Sequence, residues 1–189
     1  SRIVGGFPMR YGYDADKLLL TAGPLSLTYD TETPTLLSQQ IGSVVTTFGT
    51  DDFGEMRSMT TSVAAARVHR LVLLRDEAGR IIEERETILG RTTIWQYRRS
   101  PEGALERITR DGMLEEDLGY DAQGNRTRRA VGMRLESSTY DAQDRLLTQG
   151  DWSLTWTPDG DLATRTDTAQ NRAWSFRYDD LHVLEGVPL

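Results

Sequence analysis

The sequence predicts an all-β protein made of consecutive antiparallel β-hairpins of about 21 residues each. Three observations carry this expectation. The pattern aromatic–Asp–x–x–Gly–x–apolar returns along nearly the whole chain. Each copy has the chemistry of a tight turn. Its Asp can bond backbone N–H groups two residues on, and its Gly supplies a left-handed conformation. The composition also favours strands, with 22 Thr and 17 Gly among 189 residues.

The copies follow in order. The first is Tyr13-Asp14-Ala15-Asp16, with Leu19 in the apolar slot. A degenerate copy surrounds Tyr29-Asp30. Two copies keep the turn and lose the aromatic: Thr50-Asp51-Asp52-Phe53-Gly54, with Met56, and Arg75-Asp76-Glu77-Ala78-Gly79, with Ile81. Another degenerate copy runs from Arg99 through Gly103 to Leu105. Tyr120-Asp121-Ala122-Gln123-Gly124 and Tyr140-Asp141-Ala142-Gln143-Asp144-Arg145-Leu146 are the strongest. Trp156-Thr157-Pro158-Asp159-Gly160-Asp161-Leu162 is a Trp version, and Tyr178-Asp179 closes the series with Leu184. The steps between copies range from 16 to 25 residues, a variation expected in loops between strands.

A type I turn with a G1 bulge suits each copy and sets the register. Asp121 then pairs with Asn125, so Tyr120 faces Arg126. By the same count Tyr140 faces Leu146, Trp156 faces Leu162, Tyr178 faces Leu184 and Tyr13 faces Leu19. Such aromatic–aliphatic pairs contribute roughly 0.2–1 kcal/mol each. A lone hairpin is not stable, so neighbours must stack. Residues 62–70 stay open between strand and helix, since Val63-Ala64-Ala65-Ala66 and Leu71 to Leu74 could pass for a short helix. Residues 31–42, with Pro34 and Gly42, are expected to be irregular.

These series resemble the YD repeats of the Rhs family, which includes bacterial polymorphic toxins, shell components of insecticidal toxin complexes, and teneurins. The resemblance spans about residues 11–187 and implies a single array over 1–189, with no separate domain. It implies a curved or spiralling sheet, part of a hollow shell. In toxin members the shell encloses a C-terminal toxin; in teneurins and surface-displayed members it serves adhesion. A secreted or cell-surface location is therefore implied. So are neighbouring repeats of the same parent chain as partners, together with an enclosed toxin or a surface glycan or protein. A full shell needs more than nine repeats, and Ser1 is read as the start of an excised fragment. The Asp-Pro cleavage motif of toxin-type members does not occur in this sequence.

Composition narrows the function further. Net charge is −7 with pI near 4.9, which argues against a nucleic-acid footprint and against simple attraction to anionic lipid. Without Cys, disulfides and thiolate metal sites are excluded. The apolar runs are far short of the ~18 residues of a membrane span. No nucleophile elbow, P-loop, dinucleotide or zinc-protease motif occurs, so no catalytic residue, cofactor or metal is expected. His69 and His182 read as structural, since lone histidines lack partners for a triad or a metal site; His182 occupies a turn glycine's place. The carboxylates at 51–52, 83–84 and 115–117 read as solvated or turn groups, since strand neighbours point to opposite faces. Asn125-Arg126-Thr127 is a formal glycosylation sequon, although the repeat already accounts for Asn125. Of 22 cations only Lys17 is not Arg, which fits Arg–carboxylate pairs across strands. Trp95, Trp152, Trp156 and Trp174 read as sheet packing with sugar stacking as the alternative. The expected role is a non-enzymatic wall segment, with a carbohydrate- or protein-binding module as the alternative.

Overall fold

In the computed structural model, residues 2–4 and 7–186 are described, and they contain twenty-one strands and no helix. The chain divides into two compact units, Ser1–Tyr97 with Thr109–Gly112, and Arg98–Ile108 with Met113–Leu189. The expected array end at 187 lies outside the described residues.

In the first unit, β1 (Arg2–Val4) and β2 (Phe7–Met9) form a separate ribbon. Then β3 (Tyr11–Tyr13), β4 (Leu19–Ala22), β5 (Leu25–Tyr29), β6 (Leu36–Ile41), β7 (Val44–Thr50), β8 (Met56–Val63), β9 (Ala66–Arg75), β10 (Ile81–Ile88) and β11 (Arg91–Arg99, its last two residues in the second unit) follow as antiparallel neighbours in chain order. After β12 (Leu105–Arg110), the second unit repeats the scheme. It holds β13 (Met113–Tyr120), β14 (Arg126–Val131), β15 (Arg134–Tyr140), β16 (Leu146–Gln149), β17 (Trp152–Trp156), β18 (Leu162–Asp167) and β19 (Arg172–Ser175). A final ribbon pairs β20 (Arg177–Tyr178) with β21 (Leu184–Gly186).

Two kinds of turn alternate. At one end of the strands sit the Asp turns. At the other sit two-residue turns with positive φ, such as Ala64 (47°) with Ala65 (67°) and Leu89 (48°) with Gly90 (84°). These are the twists a tight hairpin requires. Residues 62–70 are therefore two strands around the Ala64-Ala65 turn.

Two expectations are corrected. Residues 36–41 form a regular strand, β6, because only 30–35 are spent on the turn and Gln39 and Ile41 pair with both neighbours. The variable repeat length lies in the strands, not chiefly in the loops. The 16-residue step from Tyr13 uses strands of 4 and 5 residues, and the 25-residue step from Thr50 uses strands of 8 and 10. A hairpin can lengthen by whole cross-strand pairs without changing its turn.

The faces of the first unit differ in character. Directly opposed residues share a face. One face carries the rows Phe48–Met59–Leu71 and Leu73–Glu84–Trp95; the other carries Gly49–Ser58–Val72–Arg85 and Thr47–Thr60–Arg70–Thr87. Threonine pairs bond across the strands in both units: Thr46–Thr61 at 3.0 Å, Thr87–Thr92 at 2.9 Å and Thr155–Thr164 at 2.6 Å. Among the described residues Leu73, at 7% exposure, is the only buried apolar side chain. Hydrogen-bonded strands and half-buried cross-strand pairs carry this fold, not a deep core.

Candidate functional site: the repeat turn and its clasp

The repeat-defining residues build one recurrent device. In its simplest form, at Tyr120, the N–H of Asp121 donates to the Asn125 carbonyl at 3.0 Å, and the Gly124 N–H donates to the Asp121 carbonyl at 3.2 Å. Asp121 Oδ1 accepts the N–H groups of Gln123 and Asn125 at 3.0 and 2.8 Å. Asp14, Asp51, Asp76, Asp141 and Asp179 repeat this pattern; Thr157 replaces it with its hydroxyl, which accepts the Asp161 N–H at 3.0 Å. Asp30 caps a turn one residue longer, accepting from Glu32 and Thr33. Gly54, Gly79, Gly103, Gly124 and Gly160 hold φ between 75° and 99°, and Lys17, Asp144 and His182 take the same place at 60–68°.

The bonds have electrostatic consequences. The Arg80 N–H lowers the pKa of Asp76, the Arg145 N–H that of Asp141, and the Thr33 N–H that of Asp30. At Asp121 burial opposes ionisation, but the bonds from Asn125 and Gln123 outweigh it and the pKa is lowered.

The register is the one the turn geometry requires. Tyr120 faces Arg126, Tyr140 faces Leu146, Trp156 faces Leu162, Tyr178 faces Leu184 and Tyr13 faces Leu19, each beside a register shift. Tyr29 opposes Leu36 in the same manner.

The aromatic slot has a second task that the sequence reading missed. The Tyr120 hydroxyl donates to the Leu105 carbonyl at 2.9 Å, and the Tyr140 hydroxyl to the Arg126 carbonyl at 3.1 Å. Trp156 Nε1 donates to the Leu146 carbonyl at 2.8 Å. In each case the acceptor is the apolar-slot position of the preceding repeat. The ring packs on its own hairpin while its polar tip clasps the one before. A legible signal existed: wherever the slot is aromatic it is Tyr or Trp and never Phe, although the chain has four Phe. Where Arg fills the slot, its guanidinium also bonds its own hairpin: Arg75 donates to the Gly79 carbonyl at 3.0 Å and to the Met56 carbonyl of the preceding repeat at 3.4 Å, and Arg99 donates to the Gly103 carbonyl at 3.4 Å.

Further links join successive turns in the second unit. Asn125 Nδ2 donates to Asp144 Oδ1 at 2.7 Å, and His182 Nδ1 lies 2.7 Å from Asp161 Oδ2. That bond raises the His182 pKa. Each histidine has one carboxylate partner. His182 pairs with Asp161, and His69 Nε2 lies 3.0 Å from Glu86 across the strands. Asn125 Nδ2 also donates to Asp121 at 3.1 Å, so the sequon nitrogen is committed to the turn.

The charged clusters resolve into pairs. Glu116 binds Arg129, which lowers the Glu116 pKa; Asp117 binds Arg107 and Arg128, which lower its own. Glu83 binds Arg85 and Gln96. Among the described residues no three His, Asp or Glu side chains converge as a metal site would need. Open grooves lie between Asp turns: about 670 Å³ between Asp14 and Asp30, 530 Å³ between Asp51 and Asp76, and 490 Å³ between Asp121 and Asp141. Arg165 lies 3.7 Å over the Trp152 ring, and the Trp174 ring lies tilted beside Trp152 at a centroid distance of 5.8 Å.

Comparison with known proteins agrees with this geometry. No curated protein matches the sequence. TcdB2-TccC3-TEV, known from a crystal structure, superposes with a TM-score of 0.66 at 13% identity, over 93% of this chain and 12% of that one. The chain thus spans about an eighth of that protein. A porin-like protein from Bacteroides uniformis superposes with a TM-score of only 0.35 at 11% identity, over 95% of this chain and 87% of that one. The family model described as Teneurin YD-shell matches residues 7–184. With its hairpins, Asp turns and aromatic slots in that register, the chain belongs to the Teneurin YD-shell family.

Proposed function

We propose that the chain is a non-enzymatic wall segment, one continuous array over about 11–187, of a larger secreted or surface shell that encloses a polypeptide cargo. The clasp carries this reading. A hairpin that bonds both its own strands and the preceding repeat makes a hydrogen-bonded wall with few open edges, which is what separating contents from solvent requires. The fold shared with a toxin-complex protein supports it. The test uses the parent protein. It is purified by native size exclusion, and the main peak is then denatured and its polypeptides weighed. A cleaved C-terminal chain that co-elutes and separates only on denaturation is the expected result. A single intact chain would refute containment of a cleaved cargo.

A second reading, a surface recognition module, rests on the Trp152–Arg165–Trp174 cluster, since aromatic faces beside a guanidinium suit sugar rings or peptide side chains. It predicts saturable binding on a glycan array that Trp174→Ala abolishes.

A further inference from the structure

We propose that the two-residue hairpin tips of the first unit form a docking edge for the surface of an anionic phospholipid bilayer. Ile88 is 51% and Leu89 77% exposed at the β10–β11 tip, and Ile41 and Val63 are exposed at the two preceding tips on the same face. Leu89 is the most informative of these. It sits at φ 48°, a conformation suited to Asn, Asp or Gly, and nothing covers its side chain. A leucine kept there at a conformational cost is accounted for by what it meets outside the chain.

Arginines surround the tip. Arg67, Arg70 and Leu89 line one groove of about 240 Å³ with Val68, Thr87 and Gly90. Arg91 directly opposes Ile88 and shares its face. Among the described residues the side chains of Arg67, Arg70 and Arg91 have no ion-pair or hydrogen-bond partner, and all three residues are exposed. Asp111, on the next tip, is folded onto β11, where its Oδ1 accepts the Ile94 N–H at 2.8 Å. The tips are held in place: the Leu89 N–H donates to Val68 at 2.9 Å and the Ala64 N–H to Ser43 at 3.0 Å.

The net charge of −7 does not oppose this edge. In the first unit most carboxylates sit at the Asp turns, the far ends of β8, β9 and β10, while Glu86, two positions from Ile88 on its face, lies 3.0 Å from His69 Nε2. Strands of 8 to 10 residues place those turns roughly 25–30 Å away, several Debye lengths in physiological salt. A surface approaching the tips meets apolar side chains flanked by free guanidinium groups. That is the chemistry of interfacial insertion beside anionic headgroups. A second copy fits less well, because a symmetric contact would set these arginines against themselves.

The test is co-sedimentation of the full chain with phosphatidylcholine vesicles and with phosphatidylglycerol-rich vesicles. Binding to the anionic vesicles alone, weakened by salt, is expected. Leu89→Asn creates Asn-Gly at a turn that prefers it, so its folded state should be at least as stable as wild type. Its vesicle binding should fall roughly tenfold or more. Arg67→Ser with Arg70→Ser should remove the preference for anionic lipid. No binding to anionic vesicles at low salt, or unchanged binding by Leu89→Asn, would overturn the proposal. So would self-association that Leu89→Asn abolishes in a chain that ignores vesicles.

Discussion

Replacing Tyr140 by Phe removes one oxygen and nothing else. The ring stays against Leu146, so the cross-strand pair survives. What is lost is the 3.1 Å bond to the Arg126 carbonyl, made in a half-buried setting. A net intramolecular hydrogen bond is worth about 1 kcal/mol. Leaving the carbonyl buried and unpaired would raise the cost towards ~2 kcal/mol, and letting water reach it would lower the cost towards ~0.5 kcal/mol. At this chain length 1 kcal/mol corresponds to roughly 2–4 °C in Tm. The control is Tyr13→Phe, whose ring is 58% exposed and whose hydroxyl has no partner among the described residues. Its effect should stay within about 0.5 kcal/mol. Urea unfolding followed by circular dichroism, at unchanged slope, reads both. Equal midpoints for the two variants would mean that the hydroxyl does not bind the preceding repeat, and the clasp argument would fail.

Other outcomes follow from the same geometry. Ala64→Asn with Ala65→Gly replaces two alanines at positive φ by the residues that turn prefers, and should stabilise the chain by about 1–2 kcal/mol in the same urea assay. Gly124→Ala, at φ 89° in open space, should cost about 1 kcal/mol from backbone conformation alone, and Gly124→Asp less, as Asp144 already occupies the equivalent position. Asp76 and Asp141 have lowered pKa values, so the stability they contribute is present above the ordinary aspartate range and is lost as pH falls below about 4. Asp76→Asn with Asp141→Asn should flatten that acid loss in a pH series of urea midpoints; an unchanged slope would refute the assignment. His182 has a raised pKa, so its link to Asp161 contributes below 6.5 and fades as pH rises through the folded value. Amide exchange in the β20–β21 ribbon, corrected for intrinsic rate, should accelerate from slightly acidic to alkaline pH in wild type but not in His182→Asn.

Much of the hairpin frame was legible because it is local. Asp121 and Gly124 lie within one turn, and their spacing alone sets the register that places Tyr120 opposite Arg126. The same holds at Tyr13, Tyr140, Trp156 and Tyr178, where side-chain and backbone needs are met within seven residues. Residues 31–42 misled because Pro34 and Gly42 mark turns at both ends of a strand, and composition averages the two.

The interactions that cross between hairpins needed the tertiary structure. The Tyr140–Arg126, Asn125–Asp144 and His182–Asp161 links join residues 14 to 21 positions apart, and no local rule fixes which hairpin edge a side chain reaches. Strand lengths, too, were set by pairing and not by the motif, so uneven repeats hid a constant turn. The sequence by itself determined the turn, its register and the family. Only the fold could decide what the slot's polar tip holds, which carboxylates are neutralised, and that exposed Leu89 and free arginines share one edge. The physical reason is range: a turn is closed by hydrogen bonds within the chain's own reach, whereas a clasp or an edge exists only once separate hairpins lie side by side.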